Sequence, residues 1–183
     1  MRASNKTRIL DAAVRVINRE GVRAVTFESV SSEAGLTRGG LLYHFPSREA
    51  LLRGIDAHLV QAWEASMEAL AGKPTAQTTA VERYEAYMRV SAQSATRAEL
   101  LFMLESMDPE TGSAPWNEAM LRWAPSPPAA GTDAPSAWDP FIARLAADGL
   151  WIYEAMYNGT LDAAERAIIV ARLAQLLKSE PAS

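Results

Sequence analysis

Five residues able to donate hydrogen bonds to an anion fall within twelve positions of one another: Thr37, Arg38, Tyr43, His44 and Arg48. They flank an adjacent pair of glycines, Gly39 and Gly40, and the last of them follows Pro46. Hydroxyl, guanidinium, phenol and imidazole are the donor types that hold phosphate oxygens. Thr26, somewhat earlier, adds a second hydroxyl beside a helix start, where unpaired backbone N–H groups favour anions. Taken singly, each has a plainer reading: Tyr43 as half-buried packing, His44 as a satisfied helix-end histidine, Arg48 as a solvated first-turn charge. Taken together, they point to a polyanion.

The elements that position this set are legible from the pattern around it. Residues 5–20 place Ile9, Ala12, Ala13, Val16 and Ile17 on one stripe of a helix, and Gly21 stops it. Thr26 caps a short helix in FESVSSEA, which Gly35 ends. Thr37 begins another short helix, RGGLLYHF, which closes before Pro46 because the residue preceding a proline avoids the helical region. Ser47 then caps a long helix over about 48–71, with Glu49 in its first turn suiting the helix dipole.

Two short helices joined by a three- to four-residue turn containing glycine form a helix-turn-helix, whose second helix enters a major groove of DNA. The glycines then have a purpose. Each costs about 1 kcal/mol relative to alanine inside a helix, and a bare face lets the backbone approach phosphates or base edges. A surface helix merely loosened by glycine is the competing account.

Composition narrows the remaining function classes. The chain has 183 residues, 49% of them apolar, and no cysteine, which excludes disulfides and thiolate metal sites. His44 and His58 are its two histidines, too few for a histidine-rich metal site. No apolar run approaches the roughly 20 residues of a membrane span, and MRASNKTRIL lacks the apolar core of a signal peptide. A cytoplasmic protein with no cofactor and no membrane partner is expected. Residues 1–50 hold eight Lys/Arg against five acids, whereas the rest hold ten against seventeen. A basic front on an acidic body fits a polyanion partner for the front. An enzyme reading lacks a phosphate loop, a metal-ligand spacing and a catalytic histidine set; a helical protein-interaction adaptor without DNA binding is the alternative.

The run over residues 7–51 carries TRILDAA, Glu20-Gly21, AVTFESV, SEAGLTRGGLLYHF and PSREALL. At these spacings it resembles the DNA-binding domain of tetracycline-repressor-like (TetR-like) transcriptional regulators. The resemblance implies a homodimer that sets two recognition helices on a palindromic operator of double-stranded DNA. It also implies a C-terminal body that binds an effector and dimerises, with repression relieved by a small molecule. Carried over, Thr26 meets phosphate, and Thr37, Arg38, Gly39 and Gly40 form the reading edge. Tyr43 and His44 touch the backbone, and Arg48 stands where the family prefers lysine. The family commonly places a tyrosine where this chain has Leu42, which leaves Leu42 to touch a thymine methyl.

The expected division is a DNA-binding domain over 1–47, with the start of the linking helix 48–71, and an effector and dimerisation domain over 48–183. Helical patterns recur near 78–94, 97–107 and 113–123, then over 140–157 and 163–178, for an all-α fold of about nine helices. Residues 124–137, rich in Pro, Ala and Ser, read as a mobile loop. Trp63, Met67, Tyr84, Tyr87, Met88, Phe102, Met103, Trp116, Met120, Trp123, Trp151 and Met156 suit an adaptable pocket for an apolar or aromatic effector. An ordinary core is the other reading of each. Glu85, Glu105 or Glu154 would instead favour a cation. Small residues beside large ones on the last two helices suit close pairing. The family's pattern then places Phe141, Leu145, Gly149, Ile168, Ala171, Leu173 and Leu176 in a dimer bundle.

Overall fold

The computed structural model describes residues 4–93, 97–106, 114–157 and 161–177. Its α-helices are α1 (Asn5–Glu20), α2 (Phe27–Ala34), α3 (Arg38–His44), α4 (Arg48–Ala71), α5 (Ala80–Gln93), α6 (Arg97–Ser106), α7 (Ala114–Trp123), α8 (Asp139–Tyr157) and α9 (Ala163–Leu176). Among the described residues there is no strand, so the fold is all-α as expected. Three 3-10 turns, at Val22–Ala24, Thr75–Gln77 and Pro135–Trp138, escaped the sequence reading. No helix is long and apolar enough to cross a membrane among the described residues.

The chain divides into two compact units, one of Met1–Ala62 with Thr96–Pro115, the other of Trp63–Ala95 with Trp116–Ser183. The start of α4 and all of α6 lie in the first unit. One long-range tie holds α6 there: its Ala98 N–H donates to Asn18 Oδ1 of α1 at 2.9 Å. That bond satisfies one of the donors left open at a helix start.

In the first unit the stripe of α1 is buried as its spacing requires, with Ile9, Ala12, Ala13, Val16 and Ile17 fully covered. Leu51, Ile55 and Leu59, one per turn of α4, are buried too. Full burial of such a side chain contributes roughly 1.5–3 kcal/mol. His58 of α4 meets Asp11 of α1 at 2.8 Å.

The second unit packs α5 against α8 and α9, and α8 against α9. Trp63 meets Tyr87 edge-on at 6.0 Å and Trp116 at 5.8 Å between ring centroids. Trp123 is fully buried and donates its indole N–H to Glu64, which also takes two bonds from Arg122. The stretch expected as a loop carries no helix over 125–134. Its end forms the 3-10 turn Pro135–Trp138, Trp138 donates to the Thr132 carbonyl, and Arg144 donates to the Pro125 carbonyl at 2.8 Å.

Candidate nucleic-acid interface

The first of the two short helices is fixed by a reciprocal cap. Thr26 Oγ1 accepts the Ser29 N–H at 3.0 Å, and Ser29 Oγ accepts the Thr26 N–H at 3.0 Å. Ser29 Oγ also reaches the Ala24 carbonyl at 2.7 Å, so the cap anchors the preceding 3-10 turn. The helix ends on Gly35 at φ 63°, a left-handed conformation that suits glycine. Leu36 N–H then bonds the Ser31 carbonyl at 3.0 Å, closing the helix and turning the chain. Two residues on, Thr37 Oγ1 accepts the Gly40 N–H at 3.1 Å and starts α3.

This second helix has an inner and an outer side. Leu41 is fully buried, and Phe45 just beyond the helix is buried as well. Arg38, Gly39, Gly40, Leu42 and Tyr43 are exposed, Tyr43 to 85%. His44 is half-buried and meets the Tyr43 ring edge-on at 5.1 Å. A Cβ on Gly39 would meet nothing within 4 Å, and one on Gly40 only Thr37 Oγ1 at 3.3 Å. Intramolecular packing therefore does not require glycine at either position. Arg38 lies 2.9 Å from Glu28 of α2.

The expected phosphate donors do not all end as donors to the outside. Arg48 gives its Nε to the Val25 carbonyl at 3.1 Å and its Nη2 to the Val22 carbonyl at 3.4 Å. Arg48 therefore clamps the turn before α2 through Nε and Nη2, while the residue stays exposed. Thr26 is likewise engaged in its cap. Several other basic residues of the front serve internal ties. Arg8 bonds the Ala34 carbonyl at 3.0 Å, and Arg15 and Arg19 both hold Glu33. Hydrogen bonds from Arg15, then Arg19, keep the Glu33 carboxyl below its usual range. Lys6 sits 5.9 Å over the Phe45 ring. Much of the positive excess read from composition is internal wiring.

One residue that the sequence reading missed is Gly54 of α4, against which Phe45 packs together with Leu10. A glycine inside a long helix was its only signal.

Known proteins bear on this geometry. Residues 9–55 match the family model described as bacterial regulatory proteins of the tetR family. Residues 81–178, more than half the chain, match the tetracyclin repressor-like C-terminal domain. The chain belongs to the TetR family. An HTH-type transcriptional regulator of Bacillus subtilis, YerO, is 34% identical over 73 residues, 38% of this chain and 25% of that protein. RutR of Escherichia coli K12, also an HTH-type transcriptional regulator, is 27% identical over 105 residues, 57% of this chain and 49% of that one. The match thus spans a quarter of the length of YerO and about half that of RutR. In fold it is similar to a transcriptional regulator from Saccharomonospora viridis solved in complex with choline, with a TM-score of 0.64 at 19% identity and 96% of each chain covered. TetR-family proteins are DNA-binding transcriptional regulators, and the helix-turn-helix of α2 and α3 is the element that the family uses.

In this TetR-family chain the residues expected around an effector divide sharply. Trp63, Met67, Tyr87, Met88, Trp116 and Trp123 are buried in the second unit, and Tyr84, Met120 and Trp151 are half-buried there. Phe102 is buried in the first unit, on α6, which packs against α1. Met156 is 62% exposed and so cannot line an enclosed pocket. The side chains of Met103 and Glu105 lie outside the described residues. Amid the aromatics, Tyr87 donates to the Asp148 carboxylate, which Arg144 approaches at 3.5 Å. Burial, then the Asp148 charge, drives the Tyr87 phenol far above its usual range; burial also raises the Asp148 carboxyl. Glu154 is nearly buried and lies 3.4 Å from Arg166.

Elsewhere in the same unit a groove of about 540 Å³ is lined by small residues of α9 together with Arg89 and Arg166. None of the expected effector residues lines it, whereas Ala171, expected in a dimer bundle, does. Of the other residues expected there, Leu145, Gly149 and Ile168 are exposed, and Phe141 and Leu176 are half-buried. Leu173 is only 7% exposed and is corrected to a core residue of its own protomer. Ile142, Ile152, Tyr153 and Met156 extend the exposed apolar surface along α8.

Proposed function

We propose that this chain is a ligand-responsive repressor, binding a palindromic operator as a homodimer and released by a small-molecule effector in the cytoplasm. The observation that carries the reading is the outer side of α3, where Arg38, Gly39, Gly40, Leu42 and Tyr43 are all exposed while Leu41, with Phe45 just beyond, anchors the helix. A helix so arranged can lie in a major groove, with Arg38 near base edges and Tyr43 near the phosphate backbone.

The exposed apolar residues of α8 and α9 support self-association, because a contiguous apolar surface on a soluble protein marks an interface. Two recognition helices related by a two-fold axis then call for half-sites about one helical turn apart, or a multiple of it. The aromatic and methionine-rich second unit, with the Tyr87–Asp148 pair within it, supports binding of an apolar or aromatic effector bearing one polar group. The choline complex of the structural relative is in keeping with a small ligand in this fold.

Selection of bound duplexes from a random pool tests the reading. Enrichment of an inverted repeat is expected, followed by loss of binding when the right compound from a ligand screen is added. A pool that emerges without enriched sequence refutes it.

A further inference from the structure

One ion pair in the helix-turn-helix has no structural task to explain it. Arg15 and Arg19 hold a half-covered Glu33 and thereby stitch α1 to α2. The Arg38–Glu28 pair differs, since both side chains are about two-thirds exposed, at 65% and 67%. Such surface pairs contribute about 0–1 kcal/mol to stability. Yet this one joins the first turn of α2 to the first residue of α3, at the edge that a DNA groove would meet.

We propose that Glu28 is a positioning residue for sequence readout. Its carboxylate holds one arm of the Arg38 guanidinium, at 2.9 Å from Nη1. The planar fork is thereby presented in one orientation, with its remaining donors free for acceptors such as guanine O6 and N7. A long, exposed arginine otherwise samples many rotamers and finds phosphates on any sequence equally well. The Glu28 charge adds a second effect: at this edge it repels the phosphate backbone and so disfavours every binding mode that lacks the compensating base contact. The inference rests on the reading that this unit binds DNA.

The test uses the full chain, its selected operator and a scrambled duplex of equal length. Affinities for both are measured for the parent, Glu28→Gln, Arg38→Ala and the double variant. Glu28→Gln is expected to tighten binding to the scrambled duplex and to lower the operator-to-scrambled ratio about tenfold, the scale of one good base contact. In the Arg38→Ala background the same change is expected to leave the ratio within about twofold, because the arm that Glu28 holds is gone. Equal tightening on both duplexes makes Glu28 a mere bystander charge and overturns the proposal. So does a drop in ratio that persists without Arg38. A parent that binds no duplex at any salt refutes the DNA reading itself and takes this proposal with it. Circular dichroism of each variant confirms that the fold is retained.

Discussion

Gly54 and the Phe45 ring are in such close contact that a Cβ at position 54 would lie 2.5 Å from Phe45 Cε1. Real carbon pairs do not approach so near, and the ring is itself buried at the end of α3. Gly54→Ala is therefore expected to push Phe45 and the end of α3 outward. Overpacking of this kind costs about 1–3 kcal/mol. A thermal melt should show a lowered Tm and titration a weakened operator affinity, although position 54 lies on α4 and far from the reading edge in sequence. An unchanged melt would mean that the ring moves aside freely.

Gly40 is expected to matter in the opposite way, for binding but not for folding. It is exposed, and only Thr37 Oγ1 stands near a Cβ there. Gly40→Leu should keep its circular dichroism spectrum and lose operator binding, because the side chain would stand between the helix and the groove. Retained binding would show that α3 does not approach DNA by this face.

Arg48 and Arg38 should separate under the same two measurements. Arg48→Ala removes two bonds to the Val22 and Val25 carbonyls. It is expected to lower stability by about 1 kcal/mol and to weaken operator and scrambled duplex alike. Arg38→Ala should leave the melt unchanged and relax preference at one base pair. If Arg48→Ala instead leaves the Tm untouched, the clamp on the turn is not what Arg48 does.

The exposed residues of the last two helices give a fourth expectation. Leu145→Asp with Ile168→Asp should convert a dimer to a folded monomer in sedimentation velocity, since both side chains face outward. Leu173→Asp should instead lower the Tm steeply, because Leu173 is buried in its own protomer. A double variant that still sediments as a dimer would place the interface elsewhere.

Local chemistry was readable before any coordinates. The α1 stripe, the caps at Thr26, Thr37 and Ser47, and the glycine stop at Gly35 depend on residues within four positions of one another, and each formed as its spacing requires. The features that the sequence left unread depend on distant partners. Arg48 reaches carbonyls more than twenty residues back, and Asn18 draws α6 into the first unit across eighty. Composition could not reveal that Arg8, Arg15 and Arg19 answer internal acceptors rather than an outside anion. Leu173 and Ile168 differ in which side of one helix each occupies, and small and large apolar residues spread over several faces of α9 conceal that difference. Leu42 proved exposed, where it is free to meet a thymine methyl, but its neighbours in the fold do not assign it a partner.

The most direct measurement of the central claim is the affinity of the full chain for its selected duplex as salt is raised from about 50 to 200 mM, the range over which several phosphate contacts separate clearly. The expected result is a straight fall of log K against log[salt], with a slope of about −0.9 for each phosphate contacted, and with operator held above scrambled duplex throughout. A flat line, or equal affinity for the two duplexes at every salt, would contradict sequence-specific DNA binding by α3.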